Sequence, residues 1–228
     1  MMPLLVSCIA VVVCAVLLKS SIKRYAPFYY TASFALVALY LAGVAGMLPT
    51  WFKGGVFLLM QKGTLPMAMF FVVMFIGVLP RGSKPRLALG PVRAELSVMA
   101  CILICAHMIA YAMSYVPRVI GSALANPFIA IGLLAAVLLL VLLAVLGITS
   151  LVRVKSKMNA ATWTKVQKSA YVFYGLIYVH VLALLLPSAL SGGAAAKGSV
   201  LLYSVLFVAY AVLRAVRSML DAKAMRSS

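Results

Sequence analysis

The sequence predicts an all-α integral membrane helix bundle, and three observations carry that prediction. Of the 228 residues, 66% are hydrophobic and 10% are charged, and the mean hydropathy of +1.18 lies far above what a water-soluble domain tolerates. The apolar residues fall in long runs bounded by charge, Pro or Gly instead of alternating with polar ones. At about 20 residues per crossing helix, a chain of this length holds six or seven spans and short loops. That leaves no room for a soluble domain. A nucleotide-binding module is excluded in particular, because no Gly-rich fingerprint follows a strand pattern.

Seven spans follow in order. The first, 3–18, runs from Pro3 to the basic stop at Lys19. It has no positive stretch before it and no A-x-A cleavage signal after it, so it reads as a retained helix. The second, 27–48, opens at Pro27 and stops at Pro49; the third, 66–80, is one of the two shortest and is bracketed by Pro66 and Pro80. The fourth, 95–116, begins after Arg93 and ends before Pro117. The fifth, 127–150, opens at Pro127, and the sixth, 169–190, follows Lys168 and precedes Gly192-Gly193. The seventh, 199–213, lies between Lys197 and Arg214. The segments between them (Lys19 to Tyr25, Pro49 to Leu65, Arg81 to Ala94, Pro117 to Asn126, Leu151 to Lys168 and Ser191 to Gly198) read as loops. Segment 51–65 mixes Trp51, Phe52, Phe57 and Leu58 with Lys53 and Lys62, a composition suited to lying along the membrane interface.

The formal charge of +18 would suggest nucleic-acid binding in a soluble protein. Here the basic residues sit between apolar runs and read as topology signals, so no nucleic-acid partner is expected. Alternate loops separate them sharply. Lys19, Lys23, Arg24, Arg81, Lys84, Arg86, Arg93, Arg153, Lys155, Lys157, Lys165, Lys168, Arg214, Arg217, Lys223 and Arg226 fall on one side, 16 of the 20. Lys53, Lys62, Arg118 and Lys197 fall on the other. Under the positive-inside rule this predicts an N-terminus outside and a C-terminus in the cytoplasm.

Only Glu95 and Asp221 are acidic, which argues against carboxylate-pair catalysis and proton-pumping carboxylate chains. Glu95 suits the first turn of its helix and is expected to pair with Arg93. The four cysteines, Cys8, Cys14, Cys101 and Cys105, sit inside apolar runs as small hydrophobes with no disulfide expected. Cys105-Ala-His107 is not a covalent heme-attachment motif, because position 103 is Leu. The methionines are core filling, and Trp163 is an interfacial anchor.

The only histidines, His107 and His180, stand within apolar spans. An imidazole in hydrocarbon costs several kcal/mol unless it is hydrogen-bonded or ligates a metal. His107 lies 14 residues beyond Arg93 and His180 lies 12 beyond Lys168, rises of roughly 21 and 18 Å. The two rings therefore fall at nearly the same depth on two spans running the same way, the placement a bis-His b-type heme requires. Three readings stay open on spacing alone: heme ligands, structural histidines, or a metal or proton site. Zinc or copper would call for more ligands. Tyr111, one turn beyond His107, and Tyr174 and Tyr178 before His180 are candidates to line a pocket; packing is the plainer reading of all three.

Motif order adds a resemblance. Gly63-Thr64-Leu65-Pro66 through Val78-Leu79-Pro80-Arg81, then Leu89-Gly90-Pro91-Val92-Arg93-Ala94-Glu95-Leu96 leading to Ala106-His107, resemble the second and third helices of ferric-reductase-like transmembrane domains. Asn126-Pro127-Phe128, Ile148-Thr149-Ser150, Trp163-Thr164-Lys165-Val166-Gln167 and His180 follow the same family's order. The match covers about residues 60–190, and by layout it is most similar to heme-binding membrane subunits of bacterial periplasmic methionine sulfoxide reductase systems (MsrQ-type). One departure matters: Gln167 stands where the family carries an inner histidine, and neutral Gln is a poor heme ligand. The resemblance therefore implies a single heme b with His107 and His180 as axial ligands.

The resemblance implies a domain plan as well. Residues 1–26 would be an extra N-terminal transmembrane helix and loop, 27–214 the six-helix heme-binding domain, and 215–228 a basic cytoplasmic tail. The expected function is that of an electron-transfer subunit in a bacterial inner (cytoplasmic) membrane. It would pass electrons from a cytoplasmic flavin or flavoprotein, or a membrane quinol, to an outward-facing acceptor reductase on a separate chain. FMN or a quinone is the further cofactor this allows, with Arg93 suited to a heme propionate or a flavin phosphate. A heme with both axial positions filled transfers electrons and does no bond chemistry, so no complete active site is expected. The alternative is a heme-free membrane transporter or scaffold with structural histidines.

Overall fold

The computed structural model describes residues 2–49, 56–80, 82–119, 126–150 and 152–226, and within these ranges every regular element is a helix. Each of the seven apolar runs is helical: α1 (Met2–Leu17), α3 (Ala26–Val44), α5 (Thr64–Val78), α7 (Arg93–Val119), α8 (Pro127–Ser150), α11 (Ala170–Leu190) and α12 (Ala194–Arg226). Five helical stretches are long and apolar enough to cross a membrane: Ala26–Val44, Lys84–Ser114, Pro127–Ser150, Ala160–Leu190 and Ala194–Lys223. Pro3–Leu17 and Thr64–Val78 are apolar but shorter; 15 residues of helix rise only about 22 Å, less than the hydrocarbon core. The chain is a multi-pass membrane protein.

Several segments expected to be loops are helical. Lys19–Arg24 forms α2, Val56–Gln61 forms α4, and Lys84–Leu89 forms α6, which runs through a 3-10 turn at Gly90–Val92 into α7. Val152–Lys155 and Ala160–Gln167 form α9 and α10. Short basic helices escape an apolar-window reading because charge interrupts the run while helix propensity continues. Trp51, Phe52, Lys53 and Arg81 lie outside the described residues.

The chain divides into two compact units, residues 1–116 with 209–228, and 117–208. In the first, α1 packs along α5, and α5 is buried on every face through Phe70, Phe71, Val72, Val73 and Met74. A helix covered all round tolerates no polar face, which is why this shortest span contains no charged residue. Gly63 starts α5 in the left-handed region (φ 62°), a conformation only glycine adopts without strain. On α7 the buried stripe runs Leu96, Ala100, Leu103, Ala106 and Ala110, spaced by four, three, three and four, and His107 stands half-buried beside Ala106.

In the second unit α8 packs against α11. Asn126 caps α8 by accepting from the backbone N–H groups of Phe128 and Ile129 at 3.0 and 3.4 Å. Only Gly132, Ala135 and Leu143 of α8 are buried, whereas Ile131, Leu134, Val137, Leu140 and Val141 are exposed. Such a helix, apolar all round yet covered on a single strip, is stable only where its remaining surface meets lipid.

Candidate functional site: two imidazoles anchored to backbone carbonyls

His107 stands half-buried on α7, beside its packed stripe. Its Nδ1 lies 2.9 Å from the carbonyl oxygen of Gln61 at the end of α4. A carbonyl can only accept, so Nδ1 carries a proton and donates. The Tyr111 ring, one helical turn on, lies 4.5 Å away centroid to centroid at 39°. Gly63 makes room for this: a Cβ there would sit 3.1 Å from Ile104 Cδ1 and 3.3 Å from His107 Cγ. The chain reversal that aims the Gln61 carbonyl at the imidazole thus depends on a glycine, both for its backbone angle and for its missing side chain.

His180 repeats the arrangement in the second unit. It follows Ile177 and precedes Ala183, both buried on the packed face of α11. Its Nδ1 lies 2.8 Å from the carbonyl oxygen of Gly132 on α8. Here too a glycine permits the approach, since a Cβ on Gly132 would meet Leu184 Cδ2 at 3.0 Å. Close by in sequence, the Tyr178 hydroxyl bonds to Ser204 Oγ at 2.8 Å. The Phe207 ring lies 4.5 and 4.9 Å from those of Tyr174 and Tyr178. These tyrosines pack against α12, the plainer of their two expected roles.

Of the candidate residues, the structure brings Tyr111 to His107 and leaves Arg93 about 21 Å along the same helix. Arg93 donates from Nε to the carbonyl of Val73 at 3.0 Å, its guanidinium against Gly77. Glu95 does not pair with Arg93. Its Oε1 accepts from Lys23 Nζ at 3.0 Å, because Arg93 is drawn to α5 while α2 presents Lys23 to the start of α7. Glu95 is 9% exposed, and its buried Oε2 has no hydrogen-bond partner.

Gln167 has a structural task. Its Nε2 donates to Thr149 Oγ1 at 3.1 Å and to Ser150 Oγ at 3.3 Å, and Trp163 Nε1 donates to the Thr149 carbonyl at 3.1 Å. Together they tie α10 to the end of α8. The four cysteines are free thiols, and the Cys105 thiol donates back to the Cys101 carbonyl at 3.3 Å. Among the described residues no three His, Cys, Asp or Glu side chains gather as a metal site. The contributions missed in the sequence are the carbonyls of Gln61 and Gly132. Glycine near a histidine was the single available signal, and backbone acceptors carry none of their own.

No family model matches the chain, and no solved structure matches it. It is similar to an uncharacterized protein of Treponema pallidum (strain Nichols), 38% identical over 218 residues, which cover 93% of this chain and 60% of that protein. The chain therefore spans three fifths of the length of this relative, and the similarity runs through both units.

Proposed function

We propose that this protein is a membrane b-type cytochrome subunit that carries single electrons through one heme, with His107 and His180 as its axial ligands. The observation that supports the reading is the shared state of the two imidazoles. Each commits Nδ1–H to a backbone carbonyl, which holds the ring in place and makes Nε2 the nitrogen through which it would reach iron. When bound, heme b would supply one-electron redox chemistry. The resemblance to ferric-reductase-like domains, MsrQ-type members above all, supports the same ligand pair, and Gln167, engaged with Thr149 and Ser150, fits a single heme. Tyr111 shields one face of the His107 ring from solvent. Arg93 keeps its Nη groups for an anionic group of the electron donor, a flavin phosphate, at the basic end of α7.

In this reading all seven apolar helices span a bacterial inner membrane, with the N-terminus outside and the basic loops in the cytoplasm. Electrons enter from a flavin, a flavoprotein or a quinol and leave to an outward-facing reductase. A cysteine placed at the N-terminus reacts with an impermeant reagent in intact cells if that orientation holds, and only after lysis if it does not. Heme itself is tested by the absorption spectrum of the dithionite-reduced, purified protein. A sharp low-spin b-type α band and one heme per chain by pyridine hemochrome are expected; a chain purified from heme-replete cells with no band refutes the reading. The same two hydrogen bonds also satisfy each ring N–H without any cofactor, and this favours the second reading, a heme-free transporter or scaffold, which predicts no such band.

A further inference from the structure

The second unit carries positive charge that nothing within it neutralises. Both acidic residues of the chain, Glu95 and Asp221, belong to the first unit. Residues 117–208 contain none, yet Arg153, Lys155, Lys157, Lys165 and Lys168 crowd into sixteen consecutive positions. All five are exposed. Among the described residues none of their side-chain nitrogens makes a hydrogen bond or an ion pair, and Lys155 lies 4.4 Å over the Trp163 ring.

The segment that bears them is held firmly. Asn159 Oδ1 accepts from the Thr162 N–H at 2.7 Å and caps α10. Trp163 and Gln167 fasten that helix to Thr149 and Ser150 at the end of α8. Its depth follows from helix lengths. The 24 residues of α8 and the 21 of α11 rise about 36 and 31 Å, enough to fill a hydrocarbon core of about 30 Å. α9 and α10, which join them, therefore fall in the headgroup layer, where an interfacial Trp and lysine ammonium groups meet lipid phosphates.

We propose that segment 153–168 is a binding surface for anionic phospholipid headgroups, with Lys155, Lys157, Lys165 and Lys168 as the phosphate-binding cations. A soluble protein with an acidic face is disfavoured by the depth: the cations begin one turn beyond the span and lie at the level of the phosphates. The proposal does not depend on heme.

The test uses the full chain reconstituted in nanodiscs of equimolar phosphatidylglycerol and phosphatidylcholine, with the lipids retained on extraction measured by native mass spectrometry. Phosphatidylglycerol should be enriched over phosphatidylcholine on the wild type, and each Lys→Gln change among the four should lower the enrichment by up to about fivefold. Changing all four to Gln should abolish it, and changing all four to Arg should preserve it. Equal retention of both lipids by the wild type, or undiminished enrichment on the four-Gln chain, overturns the proposal. If the four-Gln chain fails to insert, the pairs Lys155→Gln/Lys157→Gln and Lys165→Gln/Lys168→Gln decide by the same measure. Soluble acidic protein captured by a wild type that shows no lipid preference also counts against it.

Discussion

In the first unit five positively charged side chains turn back into the protein; in the second, those of segment 153–168 turn away from it. Arg93 reaches the Val73 carbonyl, Arg86 the Leu79 carbonyl at 2.7 Å, Lys19 the Leu87 carbonyl at 3.3 Å, and Lys23 the buried Glu95. Arg217 pairs with Asp221 at 2.9 Å. Among the described residues, the five cations of segment 153–168 have no such partners. With two acids for twenty bases, ion pairing inside the protein is nearly used up in one unit. Helix-end carbonyls, those of Leu79 and Leu87, take part of the remainder there, since the last C=O groups of a helix lack intrahelical donors and carry partial negative charge. Where neither acid nor free carbonyl is offered, the charge is left to the surroundings. The histidines differ from the cations in this respect, for each unit treats its imidazole alike, with a carbonyl on Nδ1.

The likeness of the histidines gives the largest expected effect. His107→Ala and His180→Ala should each abolish low-spin heme in the reduced spectrum while the chain still inserts, because removing an imidazole leaves its span more apolar. A spectrum unchanged in either variant identifies that histidine as structural and ends the parallel between the units.

The contrast in charge gives the next. Lys23→Met leaves both carboxylate oxygens of a buried Glu95 without partners and should cost about 1–3 kcal/mol. Lys155→Met removes only a ring contact and should cost under about 1 kcal/mol. Thermal unfolding in one detergent compares the two directly, and equal losses would break the distinction between inward and outward cations.

The glycines that admit the carbonyls are not equivalent. Gly63→Ala meets both a left-handed backbone and the imidazole, and should destabilise by about 1–2 kcal/mol. Gly132→Ala meets the end of the Leu184 side chain, which can turn aside, so a smaller loss is expected. If Gly132→Ala proves the costlier, the approach of α8 to α11 is the tighter constraint. Smallest of all, Gln167→Ala forfeits two hydrogen bonds at the edge of the second unit, about 1 kcal/mol. Gln167→His should leave the heme content at one per chain, and a second stable heme in that variant would overturn the account given of this position.

Much of this architecture is legible in one dimension. Each apolar run from 3–18 to 199–213 is a helix because a backbone in lipid must satisfy its own hydrogen bonds, whatever lies beside it. The stripe of Leu96, Ala100, Leu103, Ala106 and Ala110 marks the packed face of α7 before any partner is known, and His107 stands at its edge. The same counting fails for α10, where Lys165 and Lys168 interrupt the apolar pattern without ending the helical path toward α11. It fails again for Glu95. It stands two positions from Arg93, and its partner proves to be Lys23, 72 positions away.

The sequence by itself determined the all-helical membrane fold and the places of its seven apolar helices, since hydrophobicity and residue type are properties of the chain. Only the tertiary structure decided what those residues touch. Gln61 and Gly132 are recruited as carbonyls, Gln167 binds the end of α8, and the cations divide between bonded and unbonded sets. Backbone acceptors look the same at every position of a sequence, and a side chain's partner is selected by which helix packing brings within 3 Å.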